Sequence, residues 1–269
     1  MMKFTANDVR KRILSIAYKC NNNTHLGGSL SIVELLTVLY RDVLNYKFDD
    51  PKWSERDIFI LSKGHCALAL DAVLNVCGVI SDEESDTFLQ NGSDFGSHPV
   101  MNIEHGIECS SGSLGQGVSM AVGIAKASKI KGKSNSIYVL VGNGECNEGA
   151  VWEAAMLASQ WKLSNLTFII DSNGFQSDGE SSVIVNMSSI AGKFESFGFC
   201  VTEIDGHDEN QIYEAYVLHS GDRPKAIVAN TIKGKGISFM EGNNTWHHNR
   251  LIDEMYCNAM EELESCDGD

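Results

Sequence analysis

The sequence predicts a doubly wound, mostly parallel α/β sheet with helices on both faces, parsed as one domain over residues 1–250 and an acidic tail over 251–269. Three observations predict it. Short apolar runs of strand length recur along the chain, with helical periodicity between them. The two central runs, 137–141 and 166–170, are apolar without alternation, as strands covered on both faces must be. Both runs end in glycine- and asparagine-bearing turns, at the strand ends where such sheets bind ligands.

The elements follow in order. Thr5 with an acid three residues on, Asp8, opens a helix that runs to about Cys20. Residues 21–29 read as a polar loop, and 32–40 as a second helix. Residues 57–61 are a short buried strand, and Ser62-Lys63-Gly64-His65 turns into a helix through Cys77. A Gly- and Ala-rich helix covers 113–131, the strand 137–141 ends at Gly142-Asn143-Gly144, and a helix over 147–161 returns. The strand 166–170 ends at Asp171-Ser172-Asn173-Gly174. Helix 188–197, strand 199–204, helix 208–220 and strand 225–231 complete the pattern, with no repeat and no proline-rich linker.

Composition narrows the function classes. A chain of 269 residues with 43% hydrophobic and 21% charged content is an ordinary globular protein. Its net charge of −15 argues against nucleic acid and anionic membranes, which call for a basic face. No apolar run approaches the ~18 residues of a membrane span, and residues 1–11 lack the apolar core of a secretory signal. Eight cysteines form no C-x-x-C pair and read as small buried residues of a reducing, cytoplasmic protein. Beyond residue 250 the acids Asp253, Glu254, Glu261, Glu262, Glu264, Asp267 and Asp269 meet no Lys or Arg, which predicts a solvated, partly frayed tail.

Candidate chemistry gathers at the strand ends. Glycines on both sides of Asn143 let the backbone turn sharply and approach an anion. Neither G-x-G-x-x-G nor a G-x-x-x-x-G-K-[ST] loop is present, so a dinucleotide fingerprint and a nucleotide P-loop are not supported. Asn173 lies one strand–helix–strand unit further on, hence beside Asn143 in space. Two side-chain oxygens and a backbone carbonyl there suit a hard cation that also takes phosphate oxygens.

A G-D-G followed after about thirty residues by Asn is the thiamine diphosphate fingerprint, and here it stands as Gly142-Asn143-Gly144 with Asn173. Thr24-His25-Leu26-Gly27-Gly28, Ser62-Lys63-Gly64-His65, Gly96-Ser97-His98-Pro99 and Ser111-Gly112-Ser113-Leu114-Gly115-Gln116-Gly117 surround it. Glu148-Gly149, Trp152-Glu153-Ala154, Lys233-Gly234-Lys235-Gly236 and Trp246-His247 follow. In this order the segments resemble transketolase, and most of all the N-terminal, diphosphate-binding subunit of a split transketolase. The resemblance implies the diphosphate-type fold of thiamine diphosphate enzymes and two-carbon ketol transfer from a ketose phosphate to an aldose phosphate. It implies thiamine diphosphate with Mg²⁺, Ca²⁺ or Mn²⁺, the metal held by the side chains of Asn143 and Asn173 and the carbonyl of Phe175. His65, Gly144 N–H, Gly112, Ser113, Leu114, Asp171, Asn173 and His247 are then the cofactor-binding set. His25, His98 and His247 line the substrate channel as catalytic residues, while His105, His207 and His219 read as structural. His247 is preferred to His248, where the family has Gly. Lys233 and Lys235 are open between phosphate contact and a structural loop, and Glu148 and Glu153 read as subunit contacts.

Two residues depart from the pattern. Asn143 stands where the family has Asp, which predicts weaker metal binding with help from Glu145, and Ser113 stands where Pro is common. The pyrimidine-binding domain that follows in the family has no counterpart within these residues. The resemblance therefore implies a chain inactive alone, paired with a second polypeptide in an α2β2 heterotetramer acting on sugar phosphates. Delivery of the two-carbon unit to a carrier protein or an unusual sugar is the alternative, and a non-catalytic scaffold homologue the third reading.

Overall fold

The computed structural model describes residues 3–266. Five strands, β2 (Ile58–Leu61), β3 (Ile137–Gly142), β4 (Leu166–Ser172), β5 (Cys200–Asp205) and β6 (Lys225–Asn230), form one fully parallel sheet in the order β2-β3-β4-β6-β5. Two short strands, β1 (Asn23–Thr24) and β7 (Asn249–Arg250), pair antiparallel as a separate ribbon. The helices are α1 (Ala6–Cys20), α2 (Leu26–Leu30), α3 (Val33–Val38), α4 (Ala67–Val76), α5 (Asp82–Ser85), α6 (Gln116–Ile130), α7 (Gly149–Gln160), α8 (Ser181–Ile184), α9 (Ile190–Ser196), α10 (Glu209–Val217) and α11 (Asp253–Cys266).

The pleat divides the core. Tyr138 and Leu140 of β3 face one layer with Ile169 and Ile227, packed with residues of α1, α3, α4 and α10. Ile137, Val139 and Val141 face the other with Phe168 and Ile170, against α6, α7 and α9. Strands buried on both faces leave no polar positions, which is why the central runs carry no alternation. The register aligns Gly142 with Asp171 and Ser172 with Asn230, so the turns beyond these strands share one edge of the sheet. The capping box at α1 is formed: Asp8 N–H donates to Thr5 Oγ1 at 3.1 Å and Thr5 N–H to Asp8 Oδ2 at 2.8 Å.

Three expectations change. The polar loop over 21–29 instead folds its second half into α2, whose residues are all buried; Gly27 and Gly28 weaken the helical signal but allow close packing. The single helix over 32–40 is α3 running into a π-helical turn, Leu39–Val43. The frayed tail is not found, because Asp253–Cys266 is the helix α11 docked on α1. Ala259 and Leu263 are buried, Tyr256 stacks on Tyr18 with ring centroids 4.2 Å apart, and Asn7 donates to the Leu263 carbonyl at 2.8 Å. The apolar stripe of Met255, Tyr256, Ala259, Met260 and Leu263 recurs at helical spacing and is masked in the sequence by the surrounding acids. Asp267 and Asp269 lie outside the described residues.

Candidate active site

At the carboxyl edge of the sheet a cavity of about 320 Å³ opens between the turns after β2, β3 and β4. Its floor is an ion pair. Lys63, 1% exposed, places Nζ 2.5 Å from Oδ2 of Asp171, which is 0% exposed. Burial pulls the lysine toward neutrality, but the adjacent carboxylate outweighs it and holds the ammonium above its ordinary range. Lys63 also donates to the Gly28 carbonyl at 3.1 Å. The rest of the Asp171 carboxylate is taken by Ser31 Oγ at 2.8 Å, Asn173 Nδ2 at 2.8 Å and the Thr231 hydroxyl.

Asn143 and Asn173 face the cavity from neighbouring strand ends. The Asn173 amide is fixed on both atoms: Nδ2 donates to Asp171 and Oδ1 accepts from Phe175 N–H at 3.0 Å. Asn143 is 6% exposed, and its Nδ2 donates to Ser181 Oγ at 2.7 Å. A Cβ at 144 would lie 2.8 Å from Gln176 Cγ, so a larger residue there would force the Gln176 side chain to move. Glu145 turns away from a metal-ligating role. Its Oε1 accepts from Ser62 Oγ at 2.5 Å and Gly115 N–H at 2.8 Å, and its Oε2 from Gly142 N–H at 3.1 Å. Burial raises its pKa while these donors hold it back. It braces the turn instead of supplementing the asparagine.

Five histidines gather at the mouth. The His25 ring lies 5.4 Å from His65, 5.9 Å from His98, 5.4 Å from His247 and 4.5 Å from His248, centroid to centroid. The ribbon of β1 and β7 brings them together, since Thr24 pairs with Asn249 and so carries His25 to the far end of the sequence. Burial first, then repulsion from neighbouring imidazoles and lysines, depresses three of these rings: His25 to about 3, His65 to about 2 and His247 to about 4. All three are therefore neutral near pH 7.

Lys233 joins the two ends of the site. Its Nζ is 2.5 Å from Asn244 Oδ1, 3.2 Å from the Gln176 carbonyl and 3.0 Å from His247 Nδ1. Burial lowers it to about 8, followed by the charge on Lys63. An ammonium has only protons to offer, so His247 Nδ1 accepts and the neutral ring carries its proton on Nε2. The Lys233 segment is pinned on both sides. Ile232 N–H donates to His207 Nε2 at 2.8 Å, and His207 Nδ1 reaches Glu34 at 3.0 Å. Gly234 N–H donates to the Gly27 carbonyl at 2.9 Å, and φ +79 with Met240 O crowding its Cβ position demands glycine there.

Of the residues picked from the sequence, Asn143, Asn173, Phe175, Gly144, His65, Gly112, Leu114 and His247 line the cavity. His25 and His98 stand at its mouth in ring contact. Ser113 is exposed between its two lining neighbours and is not part of the wall. Asp171 is corrected from a cofactor contact to a buried support: its oxygens are engaged by four side chains behind the wall. Lys235 pairs with Glu241 at 3.3 Å outside the cavity. Sequence reasoning gives no role to Lys63, Gln176 and His248. Lys63 carries a signal, because a lysine set between an apolar strand and an apolar helix is placed where burial calls for a counter-ion. His105 and His207 contact Glu84 at 3.2 Å and Glu34 at 3.0 Å, away from the cavity.

The family model for transketolase, thiamine diphosphate binding domain, matches residues 4–263. The chain belongs to the transketolase family. Among transketolase relatives it is 39% identical over 256 residues to a subunit of the apulose-4-phosphate transketolase of Phocaeicola vulgatus, covering 94% of this chain and 90% of that one. It is 40% identical over 265 residues to a 6-deoxy-6-sulfo-D-fructose transketolase subunit of a Clostridium species, covering 98% and 96%. The crystal structure of transketolase from Campylobacter jejuni superposes with a TM-score of 0.87 at 30% identity, covering 96% of this chain and 42% of that one. This chain thus spans under half of that solved transketolase and nearly all of the two subunit relatives.

The cavity fits the transketolase cofactor by its unused polar groups. Gln176 Nε2 and Asn147 Oδ1 are buried and make no hydrogen bond within the protein, and both residues line the cavity. Lys233 gives the cavity a cationic group in a chain of net charge −15, which suits a diphosphate, whereas the charge of Lys63 is matched by Asp171. Among the described residues no cluster of three or more His, Cys, Asp or Glu side chains is arranged to hold a metal. A cation here would rely on the amide and carbonyl oxygens of Asn143, Asn173 and Phe175 together with phosphate oxygens, a donor set that fits a hard ion. No helix among the described residues is long and apolar enough to cross a membrane.

Proposed function

We propose that this chain is the diphosphate-binding subunit of a two-subunit transketolase that moves a two-carbon ketol unit from a ketose phosphate to an aldose. The observation that carries it is the match in extent: the chain spans 90% and 96% of two relatives named as subunits and 42% of a solved transketolase chain. On this reading a second polypeptide supplies the pyrimidine-binding half in an α2β2 assembly, and the cavity is one wall of a shared site. Thiamine diphosphate supplies the nucleophilic carbon and the electron sink for cleaving the bond beside a carbonyl. Lys233, Gln176 and His65 bind the diphosphate end, and Asn143, Asn173 and the Phe175 carbonyl hold Mg²⁺. His247, fixed as a donor on Nε2, hydrogen-bonds substrate oxygen. His25 and His98, in ring contact, bind ketose hydroxyls and hold the proton exchanged during carbonyl addition and cleavage.

One observation favours a specialised sugar over the common pentose and hexose phosphates. The two subunit relatives, at 39% and 40% identity, are named for apulose 4-phosphate and for a sulfonated fructose. His248, exposed at the mouth with its ring 4.5 Å from that of His25, is a candidate to read an unusual substrate group.

The test is reconstitution. The purified chain with thiamine diphosphate and Mg²⁺ is expected to be inactive alone and to gain ketol transfer when mixed with a pyrimidine-domain subunit. Turnover by the chain alone would overturn the two-subunit reading, and undiminished turnover after chelation would overturn the metal.

A further inference from the structure

An amide side chain serves a cation only through its oxygen; its NH₂ turned to the same place repels it. A carboxylate has no such ambiguity. This chain sets two amides, Asn143 and Asn173, side by side on one cavity wall, so each must be held the right way round. For Asn173 the holder is Asp171, whose carboxylate can only accept and takes Nδ2 at 2.8 Å. Asn143 has a counterpart from a different element. Its Nδ2 sits 2.7 Å from the hydroxyl oxygen of Ser181, at the start of α8.

Ser181 is itself well anchored. Its N–H donates to the Gly174 carbonyl at 2.9 Å, and the preceding Glu180 pairs with Phe175. The serine is therefore tied to the turn that presents the Phe175 carbonyl. It lines a second hollow, of about 490 Å³, which adjoins the cofactor cavity and shares Asn143 and Phe175 with it. Asn143 thus stands as a partition: one end of its amide is engaged from the hollow by Ser181, and the other is left for the cavity.

We infer that Ser181 is a positioning residue that accepts a hydrogen bond from the Asn143 NH₂ and thereby presents the Asn143 oxygen to the divalent cation of the cofactor. The inference rests on the proposed metal site. A serine hydroxyl can donate as well as accept, and the cation decides between the roles. With the cation present the amide oxygen must face it, and the displaced NH₂ needs an acceptor, which Ser181 Oγ provides. The pairing explains how an asparagine serves where the transketolase pattern has an aspartate: the lost carboxylate symmetry is replaced by an orienting hydroxyl.

The experiment is a titration of Mn²⁺ into the full-length chain reconstituted with a pyrimidine-domain subunit and thiamine diphosphate, free Mn²⁺ being read by electron paramagnetic resonance. Ser181→Ala leaves a buried NH₂ unpaired and is expected to weaken Mn²⁺ binding about tenfold. Ser181→Thr keeps the hydroxyl and keeps the affinity. Asn143→Asp removes the NH₂, so adding Ser181→Ala to it is expected to change the affinity less than about twofold. Equal Mn²⁺ affinity for the parent chain and Ser181→Ala would overturn the inference. So would a Ser181→Ala loss of the same size in the parent and in the Asn143→Asp variant, which marks a merely structural hydroxyl. Failure of the parent chain to take up Mn²⁺ removes the metal site itself and this inference with it. Metal uptake by the parent that is indifferent to Ser181 removes the inference alone.

Discussion

The floor of the cavity and its mouth both hold polar groups away from bulk water, and they do so by opposite means. At the floor the charges are retained and matched. Lys63 and Asp171 form a buried ion pair, with Ser31, Asn173 and Thr231 filling the remaining carboxylate sites. At the mouth charge is refused. His25, His65 and His247 crowd together and are kept neutral by burial, by neighbouring lysines and by one another, against a weaker opposing pull of Asp178 on His247. The difference teaches a division of labour. A saturated ion pair is a fixed post from which Asn173 and Gly28 take their positions. Neutral rings in contact are a set of proton acceptors and donors whose state a substrate can alter.

The largest effect should come from breaking the post. Asp171→Ala leaves Lys63 buried without its counter-ion and is expected to lower the unfolding free energy by about 3–5 kcal/mol, read from urea denaturation. A loss below about 1 kcal/mol would mean that the floor is not held by charge. Next, His247→Ala in the reconstituted enzyme is expected to lower kcat by about a hundredfold or more, while leaving the urea midpoint nearly unchanged. An equal drop in stability would erase the distinction between mouth and floor. Acid should separate the two regions more gently. Above about pH 7.5, His25, His65 and His247 are neutral in both folded and unfolded chains and add no pH dependence. Below it the unfolded chain takes up protons that the folded chain refuses, so stability falls as pH drops toward the depressed folded values of about 4 and below. Between about pH 6.5 and 5, where ordinary carboxylates remain ionised, His65→Gln should flatten that decline; an unchanged slope would show that His65 is not held neutral. The smallest effect concerns His248, the second cause of the His25 shift after burial. His248→Gly is expected to raise the His25 pKa, followed by NMR of the imidazole protons, with the fold intact.

What can be read from the sequence follows the same division. The strands are legible because burial on both faces enforces unbroken apolar runs, as in residues 137–141. The cavity-facing asparagines and His65 are legible because their motifs lie at strand ends, where topology alone brings them together. Asp171 is misread because a carboxylate beside a ligand turn looks the same in sequence whether it faces the cavity or the sheet behind it. Only the partners Lys63, Ser31 and Thr231, each distant in the chain, decide its direction. His248 is passed over because its neighbour satisfies the motif, whereas the β1–β7 ribbon places both rings against His25. Ser181 has no signal at all, since one serine among several differs only by what its oxygen meets.

The docking of α11 on α1 has a consequence for biosynthesis. Translation delivers α1 early and its covering helix long afterwards, so the Tyr18 face stays bare on the ribosome until α11 emerges. A chain stopped near residue 250 would possess the entire cofactor wall and still display an unpaired aromatic surface, the kind of blemish by which quality control tells an unfinished polypeptide from a folded one.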